Sequence, residues 1–238
     1  MSNKLATLIA VTNLKGGVGK STISSILASK FNAKEDKKTC VFNIAKGQSA
    51  ETINEVETID YSSLLSIDRT ISASEALASI MENYDYIFVD TAGDLSEELI
   101  EIISYIDYFI VPFDRGKRVF EDTITYLKSI FTSGIIEDKE EHNICLIFNK
   151  YNNKADVDEV KDKYINELNL IALENSIKFN IGFSKLSNSD VVETMEDKKA
   201  SIDTLSATNA VAYRIFNKKI DDLYLDVKTH LESVIGEK

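Results

Sequence analysis

The sequence predicts an α/β fold: a doubly wound, mainly parallel sheet flanked by helices, in a single domain over residues 1–238. Three features predict it. Short apolar runs alternate with amphipathic stretches as far as Leu170. The runs are apolar at successive positions, the pattern of strands covered on both faces. A glycine-rich turn separates the first apolar run from the first amphipathic stretch.

The elements follow in order. Ala6–Thr12 (ATLIAVT) reads as the first strand. Ser21–Phe31 reads as a helix, because Ile23, Ile26, Leu27 and Phe31 share one face. Lys38–Ile44 is a second strand, and Ser72–Tyr84 a helix with a serine at its start. Tyr86–Asp90 (YIFVD) is a strand ending in an acid, and Leu95–Tyr105 a helix. Tyr108–Phe113 (YFIVPF) is a strand whose end is marked by Pro112, the only proline. Val119–Phe131 is a helix stopped at Gly134. Asn143–Asn149 is a strand and Asp156–Leu168 a helix. Ser176–Ile181 reads as a further strand, and the tail from Ala207 to Ile235 as one long helical stretch. Right-handed crossovers are expected between the parallel strands.

Composition bounds what such a chain can do. Hydrophobic residues make up 44% and charged residues 28%, enough for a sizeable core. No apolar run approaches the ~20 residues that span a bilayer. The N-terminus, MSNKLATLIAV, runs straight into the glycine-rich turn, so a signal peptide is rejected and the cytoplasm is the expected compartment. The two cysteines, Cys40 and Cys145, each fall in an apolar run and read as buried core residues, not a disulfide framework. His142 and His230 lie in polar, exposed-looking stretches with no zinc cluster around them. The net charge of −12 repels phosphate polymers unless the cations are clustered.

The segment Lys15-Gly16-Gly17-Val18-Gly19-Lys20-Ser21-Thr22 carries the chemistry. A strand, a glycine-rich turn and a helix are the setting of a phosphate-binding loop. Gly16, Gly17 and Gly19 let backbone N–H groups turn inward around phosphates. The helix beginning near Ser21 aims its positive end at them. Lys20 is placed to neutralise β- and γ-phosphate oxygens, and the Ser21 hydroxyl to join the shell of Mg²⁺. The usual pattern G-x-x-x-x-G-K-[ST] fails at its first glycine, where Leu14 stands. What is present is K-G-G-x-G-K-[ST], with an extra lysine at Lys15.

On these residues the chain resembles the ParA/MinD family of deviant Walker A, P-loop ATPases, and most of all the small ParA-type partition ATPases. The resemblance covers residues 6–150 by motif and the remainder by length and pattern. It implies ATP and Mg²⁺ as cofactors. Lys15 holds the position of the family lysine that crosses a dimer interface to the partner's nucleotide, so ATP is expected to bring two copies face to face. Tyr84–Gly93 (YDYIFVDTAG) looks like the family's Walker B segment, in which Asp90 would hold Mg²⁺ together with Ser21. NICLIFNKY, residues 143–151, is similar to the family strand whose terminal asparagine contacts adenine, which makes Asn149 the matching residue.

The resemblance breaks after the second strand. The family carries D-x-D-P-Q there, and its second aspartate positions the attacking water. Aligning Gln48 on the glutamine puts Ile44 and Lys46 on the aspartate positions. An aliphatic chain cannot orient water and a cation cannot accept its proton. Gln48, Asn43 and Asp94 are the candidate replacements in that order, and the catalytic set is read as Lys15, Lys20 and Gln48. Weak hydrolysis is expected.

The resemblance further implies a partition or positioning role for a plasmid, mobile element or chromosome, with a ParB-like or adaptor partner. Non-specific DNA is a candidate ligand through Lys185, Lys198, Lys199, Arg214, Lys218 and Lys219, which otherwise read as a solvated surface. A MinD-like membrane-surface ATPase is the alternative. Its basic, apolar C-terminal helix is not matched by Leu223–Glu232, which is acidic and reads as core packing. An amide-forming synthetase on the same fold has no substrate motif in its favour. A non-hydrolysing ATP-sensing protein is supported by Ile44 and Lys46.

Overall fold

A computed structural model describes residues 5–45, 56–93, 96–113, 121–127, 143–151, 158, 171–172, 177–178 and 207–236. Eight strands form one sheet: β1 (Thr7–Val11), β2 (Thr39–Asn43), β3 (Glu57–Asp60), β4 (Tyr86–Asp90), β5 (Tyr108–Phe113), β6 (Ile144–Tyr151), β7 (Ile171–Ala172) and β8 (Ile177–Lys178). Their spatial order is β3-β2-β4-β1-β5-β6-β7, with β8 also paired to β6. These pairings are parallel. The chain winds outward from β1 to β2 and β3, returns to β4, and then crosses β1 to reach β5 and β6. The connections leave β1 in opposite directions, which opens a crevice at the carboxyl ends of the central strands.

Helices cover both faces. On one lie α1 (Lys20–Glu35) and α6 (Ala207–Ile235); on the other lie α2 (Tyr61–Ile67), α3 (Ala73–Ile80), α4 (Glu97–Ile102) and α5 (121–127). Alternation along each strand splits the core in two. Ile9, Val11, Val41, Phe88 and Ile110 face Ile23, Leu27 and Phe31 of α1 and Leu223, Val227 and Leu231 of α6. Leu8, Ala10, Phe42, Val89 and Phe109 face Leu77, Leu99, Ile102, Ile124 and Tyr126. Phe31 joins the α1 layer together, with ring centroids 4.9 Å from Tyr86, 5.6 Å from Phe88 and 5.2 Å from Tyr224. Burying each such side chain contributes about 1.5–3 kcal/mol.

Most predicted elements form where the pattern places them. Helix α3 begins at Ser72, whose hydroxyl accepts from Glu75 N at 3.1 Å, while Glu75 reaches back to Ser72 N. Both α3 and α4 end in a single 3-10 turn, shortening the helices expected to Tyr84 and Tyr105. Within the expected helix Val119–Phe131, residues 121–127 are helical. Gly134 and the helix expected at Asp156–Leu168, apart from the helical Asp158, lie outside the described residues.

Three elements appear that the pattern did not announce: β3, α2 and β7. β3 reads Glu-Thr-Ile-Asp and is an edge-side strand, half-buried to exposed, without the apolar run that marks the central ones. Pro112 is the penultimate residue of β5, close to the strand end it was expected to mark, in register with Ile147 of β6. The last β1–β5 pair is Val11 with Ile110. Pro112 lies just beyond that pair, where it has no N–H to extend the ladder to β1, and its carbonyl oxygen accepts from Asn13 Nδ2. Cys40 and Cys145 are buried as expected, and desolvation pushes both thiols up to about 12. His230 is not simply exposed: it is half-buried, hydrogen-bonds Tyr108 through Nδ1 and packs edge-on to its ring. His142 lies outside the described residues.

Candidate functional site

The turn from β1 into α1 lies at the carboxyl edge of the sheet. Gly17 and Gly19 have φ of 74° and 97°, a region that side chains rarely adopt. Gly19 caps α1 with no side-chain bond, so the first amides of the helix remain directed at the turn. Lys15, Gly16 and Gly17 are exposed, whereas Val18 is buried. Leu14, standing at the first glycine position of the usual pattern, packs its side chain against the core.

Lys20 is only 8% exposed, and its Nζ donates to Lys15 O at 3.1 Å, folding back over the loop. Ser21, the next residue of α1, lies near enough to Asp90 at the end of β4 to draw its pKa down. Asp90 is 1% exposed, and its Oδ1 has no hydrogen-bond partner among the described residues. Burial raises its pKa to about 6 against the opposing pull of Ser21 and Lys20. A buried carboxylate oxygen without a donor, beside a serine hydroxyl, is a hard oxygen pair that suits Mg²⁺. The open helix amides, the glycine turn and Lys20 suit phosphate.

Two glycines keep the loop tight. Gly93, two residues beyond Thr91, leaves room for the loop backbone: a Cβ there would lie 2.8 Å from Leu14 O and 3.4 Å from Gly16 N. At Gly19 a Cβ would run into the amide nitrogen of Asn149. Asn149 sits near the end of β6, buried, and donates Nδ2 to Val18 O at 2.7 Å. It therefore meets the loop backbone directly.

Sequence reasoning passed over Asn13. It is buried; Oδ1 accepts from Lys15 N at 2.9 Å, and Nδ2 donates to Pro112 O and Thr123 Oγ1, each at 2.9 Å. A polar amide placed between an apolar strand and the glycine turn was the available signal.

The end of β2 is built differently. Ile44 is 2% exposed and belongs to the core, with its N–H on Asp90 O at 3.1 Å. Asn43, a candidate for orienting water, donates Nδ2 to Asp60 at 2.6 Å and accepts from Ala45 N at 3.0 Å. Lys46, Gln48 and Asp94 lie outside the described residues, as do Lys185, Lys198 and Lys199. Arg214 is on α6, as are the exposed Lys218 and the half-buried Lys219. No helix among the described residues is long and apolar enough to cross a membrane.

The fold recurs in solved structures. A Borrelia burgdorferi B31 protein assigned to plasmid partition and bound to AMPPNP aligns at 14% identity, over 94% of this chain and 99% of that one, with a TM-score of 0.62. ParA of pNOB8 bound to nonspecific DNA aligns at 17% identity over 96% and 99%, with a TM-score of 0.57. Cobyrinic acid a,c-diamide synthase from Mycobacterium smegmatis, with ADP and magnesium, aligns at 14% over 79% and 91%, with a TM-score of 0.55. At these identities the likeness establishes the fold. No curated protein sequence matches. The model of the CobQ/CobB/MinD/ParA nucleotide binding domain matches residues 9–193, from within β1 past the loop, Asp90 and Asn149. Residues 9–193 are thus a nucleotide-binding domain, and the chain belongs to the CobQ/CobB/MinD/ParA family.

Proposed function

We propose that this chain is a ParA-like ATPase that dimerises on ATP and serves partition or positioning of a plasmid, mobile element or chromosome. The observation that carries the reading is the corner formed by Lys20, Ser21 and Asp90, whose Oδ1 has no hydrogen-bond partner among the described residues. Loop amides of Gly16–Ser21 bind the phosphates, and Lys20 exchanges its bond to Lys15 O for a phosphate oxygen. Ser21 and Asp90 would hold Mg²⁺, which would supply neutralisation of phosphate charge. Lys15 is exposed on the loop, the placement a residue needs to reach a second copy. Asn149 borders the loop and is assigned to the adenine side. Gln48 is the proposed water-orienting residue. A ParB-like or adaptor partner and non-specific DNA complete the proposal, with a cytoplasmic location.

A second reading is supported by the end of β2. With Ile44 packed in the core and Asn43 bonded to Asp60 and Ala45, the chain serves as a slow or non-hydrolysing ATP switch. The membrane-surface alternative has less support, because Leu223, Val227 and Leu231 are buried against the sheet.

Light scattering and calorimetry test the proposal together. ATP with Mg²⁺ should bind and double the solution mass. Lys20→Ala should abolish binding, and Lys15→Ala should bind ATP but remain monomeric. Unchanged ATP affinity in Lys20→Ala would overturn the site, and normal ATP-driven dimerisation in Lys15→Ala would overturn the trans role of Lys15.

A further inference from the structure

We infer that Asn13 is a positioning residue that couples the nucleotide loop to helix α5 through Thr123. The inference rests on the nucleotide reading of the loop given above.

The geometry leaves the Asn13 amide one orientation. Its Oδ1 accepts the Lys15 N–H, and its two amide protons go to Pro112 O and Thr123 Oγ1. Turning the amide over would set donor against donor at Lys15 and oxygen against oxygen at Pro112. Asn13 and Thr123 are both buried, so water cannot replace a broken bond. A second bond runs in parallel from the preceding residue: the Thr12 hydroxyl meets the Tyr126 hydroxyl at 2.5 Å, one helical turn beyond Thr123. Two consecutive residues at the end of β1 thereby grip one face of α5.

Phosphate entry is expected to act on the backbone of Lys15–Gly19. A shift of the Lys15 N–H either breaks a buried hydrogen bond or carries Asn13 with it. Since breaking leaves a desolvated donor and acceptor, the coupled movement is favoured. Asn13 then transmits the shift to Thr123, while the opposite side of α5 presents exposed Glu121, Asp122 and Thr125 to solvent. Coupling is reciprocal, so whatever holds α5 alters ATP affinity by the same factor.

The test is hydrogen exchange of the peptide covering 121–127 in the full chain, with and without ATP and Mg²⁺, alongside ATP affinity. Wild type should show exchange in α5 slowed about fivefold or more by ATP. Thr123→Val, close in shape, should lose that response while ATP affinity stays within about threefold. Thr123→Ser restores the hydroxyl and should restore the response. Asn13→Asp keeps the acceptor for Lys15 but sets an oxygen against Pro112 O, and should lose the response too. A full response in both Thr123→Val and Asn13→Asp would overturn the inference. So would an α5 that ignores ATP in a wild-type chain that binds it. Failure of the wild type to bind ATP would instead overturn the nucleotide reading, and the coupling with it.

Discussion

Strands β4 and β2 are neighbours in register, Asn43 beside Asp90, and both run buried to the carboxyl edge of the sheet. β4 ends in an acid whose Oδ1 lacks a hydrogen-bond partner among the described residues and whose carboxyl meets Ser21. β2 ends in an amide joined to Asp60 and Ala45, followed by an isoleucine in the core. One end keeps a buried polar atom short of partners, which a fold tolerates where a ligand supplies the missing contact. The other has closed its hydrogen bonds locally. On the proposed reading the difference separates two tasks of a nucleotide site: β4 would hold the metal, whereas the described end of β2 offers no acid to orient water.

The largest expected effect falls on β4. Asp90→Asn should weaken Mg²⁺-dependent ATP binding by about 100-fold, by analogy with the loss of groups around metal ligands. The same change should stabilise the ligand-free chain. In the folded chain burial pushes the Asp90 carboxyl up to about 6 from an ordinary 3.8, so the native state holds the proton more tightly than the unfolded one. The penalty for ionising it is fully present above pH 6–7 and is relieved as pH falls toward 4, on the order of 3 kcal/mol in all. Denaturation of wild type and variant between pH 5 and 8 checks this: wild type should gain stability on acidification through this window, and Asp90→Asn should gain less. Equal pH profiles would remove the contrast between the two strand ends.

A middle-sized effect tests whether β2 lacks only an acid. Lys46→Asp should raise single-turnover hydrolysis about tenfold, a part of the ~10²–10⁴ that a well-placed base supplies. Gln48→Ala alongside it tells whether Gln48 already does the work. If Lys46→Asp leaves the rate unchanged and Gln48→Ala abolishes it, β2 leads into a working corner after all.

The central fold could be read from residues because its strands carry runs of successive apolar positions, which a covered parallel sheet rewards. Tyr86–Asp90 and Tyr108–Phe113 form as expected to the residue. β3 escaped because Glu57 and Asp60 carry none of that signal; it is held by pairing with β2. At the site, the glycines, Lys20, Ser21 and Asp90 were visible because phosphate and metal chemistry restrict both residue type and spacing. Asn13 and Gly93 act through backbone atoms far away in sequence, Pro112 and Leu14 respectively, and no local pattern announces such contacts. Asn149 shows the intermediate case: its place at the end of a strand was readable, its bond to Val18 O was not.

The smallest effect on binding, and a test of the other half of the comparison, comes from Asn43→Ala. If the end of β2 is structural, removing its amide should cost stability without touching the nucleotide. Asn43 donates to an Asp60 carboxylate at 2.6 Å and accepts the buried Ala45 N–H at 3.0 Å. Losing a bond to a charged group and leaving a buried donor unsatisfied costs about 1–3 kcal/mol. In a chain of this size that lowers Tm by roughly 2–12 °C, at about 2–4 °C per kcal/mol. ATP affinity with Mg²⁺ should change by less than about threefold, since Asp90, Ser21 and the loop keep their contacts. Thermal denaturation read beside calorimetry separates the two quantities. A loss of affinity approaching that of Asp90→Asn, with Tm unchanged, would place Asn43 in the nucleotide site and make the two strand ends functional equals. The expected pattern, a less stable chain that binds ATP normally, removes Asn43 from the candidates and leaves the hydrolytic group to Gln48 after β2 or Asp94 after β4.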